Sequence, residues 1–160
     1  MAFLIYAQTN VFFMAHICQG VYNETVPRSA PNPDLTPLFA ALADRTRLRL
    51  LNLLNGREVC VCYFVEILRQ SQPKISRHLA YLRRAGIVSA RREGKWMHYS
   101  IERPADIGAL AILDATLSSF SADHEMQSDL ARLSKACCQP RSFVTLQGAP
   151  LPTPLAGQTA

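Results

Sequence analysis

Two cysteines stand one residue apart in the stretch REVCVCYFVEIL, at Cys60 and Cys62. Thiolates are soft ligands that favour soft or thiophilic ions, and the same groups can be oxidised instead of metallated. Three further cysteines complete the set: Cys18 and the adjacent pair Cys137 and Cys138. An odd count at these spacings is a poor disulfide framework, since neighbours in the chain rarely bridge without strain. Reduced thiols in the cytoplasm are expected. The competing reading for any one of them is a buried cysteine acting as a small hydrophobe. Residues two apart on a regular helix point about 200° apart around its axis. If the turn carrying Cys60 and Cys62 is helical, it must open before both sulfurs can hold one ion. Cys137 and Cys138 are separated by about 100° and can lean toward the same ion.

A second kind of chemistry lies just downstream. Of the 17 basic residues, eight fall between Arg69 and Tyr99, where Glu93 is the single acid. The chain carries +5 overall, yet outside this segment nine basic and eleven acidic residues leave −2. Charge concentrated in this way suits a site that meets phosphates.

The elements that must position these groups follow from periodicity. Leu35, Leu38, Phe39 and Leu42 recur at helical spacing. Asp44 is placed to cap a helix over Arg45–Asn55, stopped by Gly56, and Val59–Gln70 reads as the next helix. Ser71 and Pro73 open a further helix that runs to Ala85, with Gly86 after its end. Ile75, Leu79 and Leu82 form its inward stripe. Gln72, Pro73, Lys74, Ser76, Arg77 and His78 are left to face a partner. Ile87–Arg91 and Lys95–Ile101 alternate as strands around a turn at Arg92-Glu93-Gly94. Helical patterning resumes over Ala105–Ala136, with a register slip that predicts a break near Ser121–His124.

The order short helix, tight turn, polar-faced helix and basic hairpin is that of a winged helix-turn-helix. The expected fold class is mainly α with a small β part (α+β). In such a fold Arg77 and Gln72 can read base edges in the major groove, and Ser76 can reach a base or a phosphate. Arg91, Arg92 and Lys95 on the hairpin can approach the backbone or minor groove. No glycine-rich cofactor loop, C-x-x-C motif or base-paired nucleophile is visible, so no enzyme and no organic cofactor are expected.

Three regions are expected: an arm and linker over 1–33, a DNA-binding and dimerisation domain over 34–138, and a proline-rich disordered tail over 139–160. The apolar start, MAFLIYAQTNVFFMAHICQG, lacks the positive residues of a signal peptide and is interrupted by QTN, so no membrane segment is expected.

From about Leu35 to Ile101 the chain resembles the ArsR/SmtB family of metal-responsive repressors. Its landmarks, in order, are LADRTRLRLLNLL, VCVCYFVEIL, QSQPKISRHLAYLRRAGIV and REGKWMHYSI, and the third and fourth are similar to the arsenic-sensing branch. The resemblance implies a homodimer held by its first and last helices, with Leu110, Leu113, Leu117 and Phe120 in the interface. It implies double-stranded palindromic operator DNA as partner. It also implies arsenite or antimonite as inducer, taken by Cys60, Cys62, Cys137 and Cys138. Trivalent arsenic takes three sulfurs in a pyramid, and three donor sets follow. They are Cys60 and Cys62 with Cys137 or Cys138 of either subunit, the same pair with Cys18, or a separate Cys137/Cys138 site. The sequence departs from the family pattern at Arg45, usually proline, at Tyr63, usually aspartate, and at Val65, where the arsenic branch has its third cysteine. Asp114 lacks the histidine two residues on that the family's zinc sensors use; Thr116 is there instead. The alternatives within the same fold are a thiol-redox or reactive-sulfur regulator and a cadmium or lead sensor.

Overall fold

The computed structural model describes residues 34–139, 143 and 146–154. Asp34 accepts the N–H of Thr36 at 2.9 Å and leads into α1 (Thr36–Leu42). Asp44 then caps α2 (Arg45–Leu54) by accepting the N–H of Arg47 at 2.9 Å. The cap needs only a carboxylate at this position, so Arg45 in place of proline leaves it intact. Gly56, at φ 74°, turns the chain out of α2.

The next element departs from the periodic reading. Arg57–Cys60 is a strand, β1, and the helix after it, α3, covers Val61–Leu68. β1 is only four residues long, too short to show a period of two. It forms because a partner arrives from about forty residues downstream: Val59 pairs with Tyr99 and Cys60 with His98. Helix α4 (Gln72–Arg84) follows, with Pro73 in its first turn. The hairpin consists of β2 (Val88–Glu93) and β3 (Trp96–Ile101), turning at Gly94 (φ 57°). The hairpin is present as expected, but burial does not alternate along it: His98 and Tyr99 are both buried, Met97 and Ile101 are half-buried, and β2 passes from buried Val88 to exposed Glu93.

Helices α2, α3 and α4 enclose the core with the base of the hairpin. Leu50, Leu54, Tyr63, Phe64, Ile75 and Leu79 are fully buried there, and Phe64 meets Tyr99 edge to face. Helix α5 (Ile107–Ser119) ends in a 3-10 turn at Phe120–Ala122, and α6 (His124–Cys138) starts afresh under an Asp123 cap. The expected break at Ser121–His124 is therefore present. Asp123 accepts the N–H groups of Glu125 and Met126, which restarts the helix in a new direction.

α6 is locked to α2 by polar groups. Arg49 forks onto Asp129 at 2.6 and 2.8 Å, and Asn52 donates to the carbonyl of Met126 at 2.8 Å. Asp129 is 1% exposed, so its carboxylate depends on Arg49 for compensation.

Two expectations require correction. Leu113, Leu117 and Phe120, assigned to a dimer interface, are buried within the protomer's own core, and only Leu110 of that set is half-buried. A stripe of large apolar residues at helical spacing serves the nearest core first. The segment 139–160 is also not wholly disordered. Leu146 is buried, and β4 (Thr153–Pro154) pairs with the outer edge of β1 at Glu58 and Arg57, giving the sheet order β2-β3-β1-β4. An edge strand without a neighbour offers free backbone groups, and even a proline-containing segment can cover them at a sheet margin.

Arg49→Ala should strand the buried Asp129 carboxylate and cost about 3 kcal/mol of stability. Urea denaturation will show this as a lower midpoint with an unchanged slope. Arg49→Met combined with Asp129→Leu should recover most of the loss.

Candidate functional site

The geometry of the cysteine pair follows from the strand that precedes it. Cys60 is the last residue of β1 and the N-cap of α3, with extended backbone (φ −72°, ψ 144°). Cys62 lies in the first turn of α3. The bend between them brings the two sulfurs to 3.0 Å. The divergence expected of two residues on one helix does not arise, because only Cys62 is helical. No unwinding is needed for both thiols to face one ion. Cys60 is 1% exposed and Cys62 is half-buried, so entry is from the Cys62 side.

The pair has unequal affinity for protons. The Cys62 thiol donates to the Cys60 sulfur, and the backbone N–H groups of Cys62, Met97 and Val61 also favour negative charge there. These effects outweigh burial and bring the Cys60 pKa down to about 7. Cys62 is pushed up, first because its proton is held by Cys60, then by burial and by the charge on Cys60. The pair gives up its first proton more readily than an ordinary thiol and holds its second more tightly. A thiolate at the start of a helix is the form that attacks and ligates.

Tyr63 adjoins the pair on α3. Its hydroxyl is buried and has no hydrogen-bond partner among the described residues. Burial, and then the charges of Cys137, Cys62 and Cys60, push its pKa up to about 12. Cys137, near the end of α6, therefore shares the neighbourhood of the C-x-C pair. It is half-buried, and burial pushes its thiol up while Arg57 pulls the other way. Cys138 is exposed. Among the described residues no group of three or more His, Cys, Asp or Glu side chains stands close enough to hold a metal ion. Of the expected donors, the fold brings Cys60 and Cys62 together but does not assemble Cys137 or Cys138 with them. Cys18 lies outside the described residues.

The second surface is built by α4 and the hairpin. Ile75, Leu79 and Leu82 hold α4 to the core, which turns Gln72, Pro73, Lys74 and Arg77 outward. The side chains of Gln72, Lys74 and Arg77 make no hydrogen bond or ion pair with any described residue, and Ser76 is half-buried beside them. His78 departs from this face: its Nδ1 turns to the Asp44 carboxylate at 3.4 Å, and burial pulls its pKa down. On the hairpin, Arg92 donates to the carbonyl of Gly94, and Lys95 lies 4.9 Å over the Trp96 ring. Neither has a carboxylate partner among the described residues. Arg91 does. Its guanidinium meets Glu58 at 2.6 Å and Glu93 at 2.7 Å, so its charge is already answered. Glu58 was not singled out from sequence; once β1 is known, its position two residues before Cys60 puts both on one face.

Comparison with known proteins bears on these two surfaces. Residues 44–90 match the family described as "Bacterial regulatory protein, arsR family". The chain is 49% identical over 78 residues to the "Arsenical resistance operon repressor" of Escherichia coli (strain K12), covering 48% of this chain and 67% of that protein. It is 45% identical over 96 residues to the "Arsenic resistance transcriptional regulator ArsR1" of Pseudomonas putida, covering 56% and 75%. It is 40% identical over 90 residues to ArsR2 of the same organism, covering 54% and 78%.

In a variant retaining only Cys60 and Cys62, the ultraviolet thiolate band should grow by about one thiolate equivalent as pH rises through 7. Cys62→Ala removes the chief cause of the low value. The midpoint should then move upward toward that of an ordinary thiol.

Proposed function

Because this chain belongs to the arsR family of bacterial regulatory proteins, we propose that it holds its operator when empty and releases it when trivalent arsenic or antimony binds Cys60 and Cys62. It is a DNA-binding transcriptional repressor and not an enzyme. The observation that carries the inducer is the pair of sulfurs 3.0 Å apart at the junction of β1 and α3. Soft trivalent ions replace thiol protons, and the relatives named for arsenic resistance support that choice of ion.

The third sulfur is assigned to Cys137. It is the thiol whose charge acts on the Tyr63 hydroxyl together with those of Cys60 and Cys62. Capture therefore requires the end of α6 and the start of α3 to approach each other. α3 leads through Arg69, Gln70 and Ser71 into α4, so this movement reaches the reading helix. The coupling comes from closing a third ligand onto a preformed pair, not from opening a helical turn. Allosteric couplings of about 1–3 kcal/mol change affinity by about 5–150-fold, enough to empty an operator.

On the DNA side, Gln72 and Arg77 read base edges, while Lys74, Ser76, Arg92 and Lys95 contact backbone. A second copy covers α1 and α5. Helix α5 carries apolar residues outside its buried stripe, Ile107, Ala111 and Ala115 among them, and apolar residues on an outer face call for cover. Its inner face already lies in the core. Ile107 on α5 is 83% exposed and Phe39 on α1 is 55% exposed, which leaves an apolar outer surface for the partner subunit. No helix among the described residues is long and apolar enough to cross a membrane.

Oxidation is the second reading, favoured by the same short sulfur separation. A bridge between residues two apart is strained, which places it behind ion capture. Release by arsenite in the presence of excess reductant separates the two.

Cys60→Ser combined with Cys62→Ser should leave operator affinity intact and abolish release by arsenite, read by fluorescence anisotropy on labelled operator DNA. Cadmium, lead and zinc titrations in the same assay test the choice of ion. Arg77→Ala should weaken operator binding by about 1–3 kcal/mol and relax base preference at one position. A fall in salt dependence with preference unchanged would make Arg77 a phosphate contact instead.

A further inference from the structure

Strand register places three side chains in one row across the sheet. Arg91 on β2 lies opposite His98 on β3, and His98 lies opposite Cys60 at the end of β1. Val59 and Tyr99, the neighbouring pair, are buried in the core, so the row occupies the other face. Glu58, two residues before Cys60, shares that face. Its carboxylate joins the row: Oε1 accepts from Arg91 Nη2 at 2.6 Å, Oε2 accepts from Arg91 Nε at 3.3 Å, and His98 Nδ1 stands 3.5 Å from Oε1. Arg91 Nη1 also meets Glu93 at 2.7 Å.

We propose that Glu58 is a positioning residue that ties the basic hairpin to the cysteine-bearing strand, and that Arg91 is held in this strut and does not contact DNA. The inference rests on the reading of Cys60 and Cys62 as the inducer site. The Arg91–Glu93 contact lies at the surface, where ion pairs contribute little. The Glu58 contact differs. The Glu58 side chain is 18% exposed and that of His98 is 6% exposed, and the pairing with Arg91 is a two-pronged fork. For Arg91 to reach a phosphate it must leave two carboxylates. Glu58 would then stand half-buried without its cation and would repel the approaching DNA. Arg92 and Lys95 carry no such restraint.

The strut begins two residues from the thiol pair and ends on the hairpin. A displacement of Cys60 on ion capture is therefore passed to β1, to Glu58 and to Arg91, and it changes the hairpin's angle to α4. The hairpin then takes part in release together with the reading helix.

The full-length chain on double-stranded operator DNA tests this in two independent ways. The first needs no inducer. Each phosphate contact adds about one to the slope of binding against salt. Arg92→Ala should lower that slope by about one, and Arg91→Ala should leave it unchanged. Arg91→Ala lowering the slope by about one overturns the strut. The second is the arsenite response. Arg91→Ala and Glu58→Gln, the latter keeping the side chain's shape, should each reduce arsenite-driven release at least about fivefold, and the double variant should be no worse than either single one. Release at the wild-type arsenite concentration in both single variants also overturns it. If the wild-type chain itself is not released by arsenite, the inducer reading fails, and the salt slopes alone decide the strut.

Discussion

The pairing of β1 with β3 is the constraint on which the functional geometry depends. It ends a strand at Cys60 and starts a helix one residue later. That junction turns two cysteines that would diverge on a helix into a pair 3.0 Å apart. It surrounds one sulfur with backbone N–H groups and so favours a thiolate. It also carries Glu58 to the face where the hairpin's arginine can be held. Remove the pairing and the C-x-C stretch reverts to an apolar helix start with two separated thiols.

Charge is divided between two tasks in the same short region. On α4 the outward cations and Gln72 are left unpaired, as a surface that replaces counterions around a phosphate backbone requires. Other cations are matched to carboxylates and fix the placement of one element on another. Arg91 belongs to this second group, as do Arg49 and Arg45, which bind α6 to α2 through Asp129, Asp123 and Glu125. A count of basic residues therefore overstates what meets DNA. Tyr81 holds two further cations against its ring, the guanidinium of Arg47 at 4.5 Å and that of Arg84 at 5.3 Å.

Helix α6 is held at its middle and carries a cysteine near its end. Its middle is anchored on α2 by a buried ion pair, while its end carries Cys137 into the surroundings of Tyr63. The segment after α6 adds to the same region, with Leu146 buried and β4 laid along the strand that holds Glu58 and Cys60.

Much of this protein was legible in the sequence. The helix cap at Asp44, the outward face of α4, the hairpin and the break before His124 each rest on neighbours within a few residues, and such local rules can be read along the chain. The resemblance to a repressor family was legible for the same reason, since its landmarks are contiguous. Tertiary structure alone decided whatever needed a distant partner. β1 exists because β3 pairs with it, and with β1 came the convergence of the sulfurs, the capture of Arg91 by Glu58 and the turn of His78 toward Asp44. The family resemblance placed Leu113, Leu117 and Phe120 in a dimer interface, but a family pattern does not say which surface this chain's stripe meets first. The protomer's own core claims them because burial within one chain needs no second molecule.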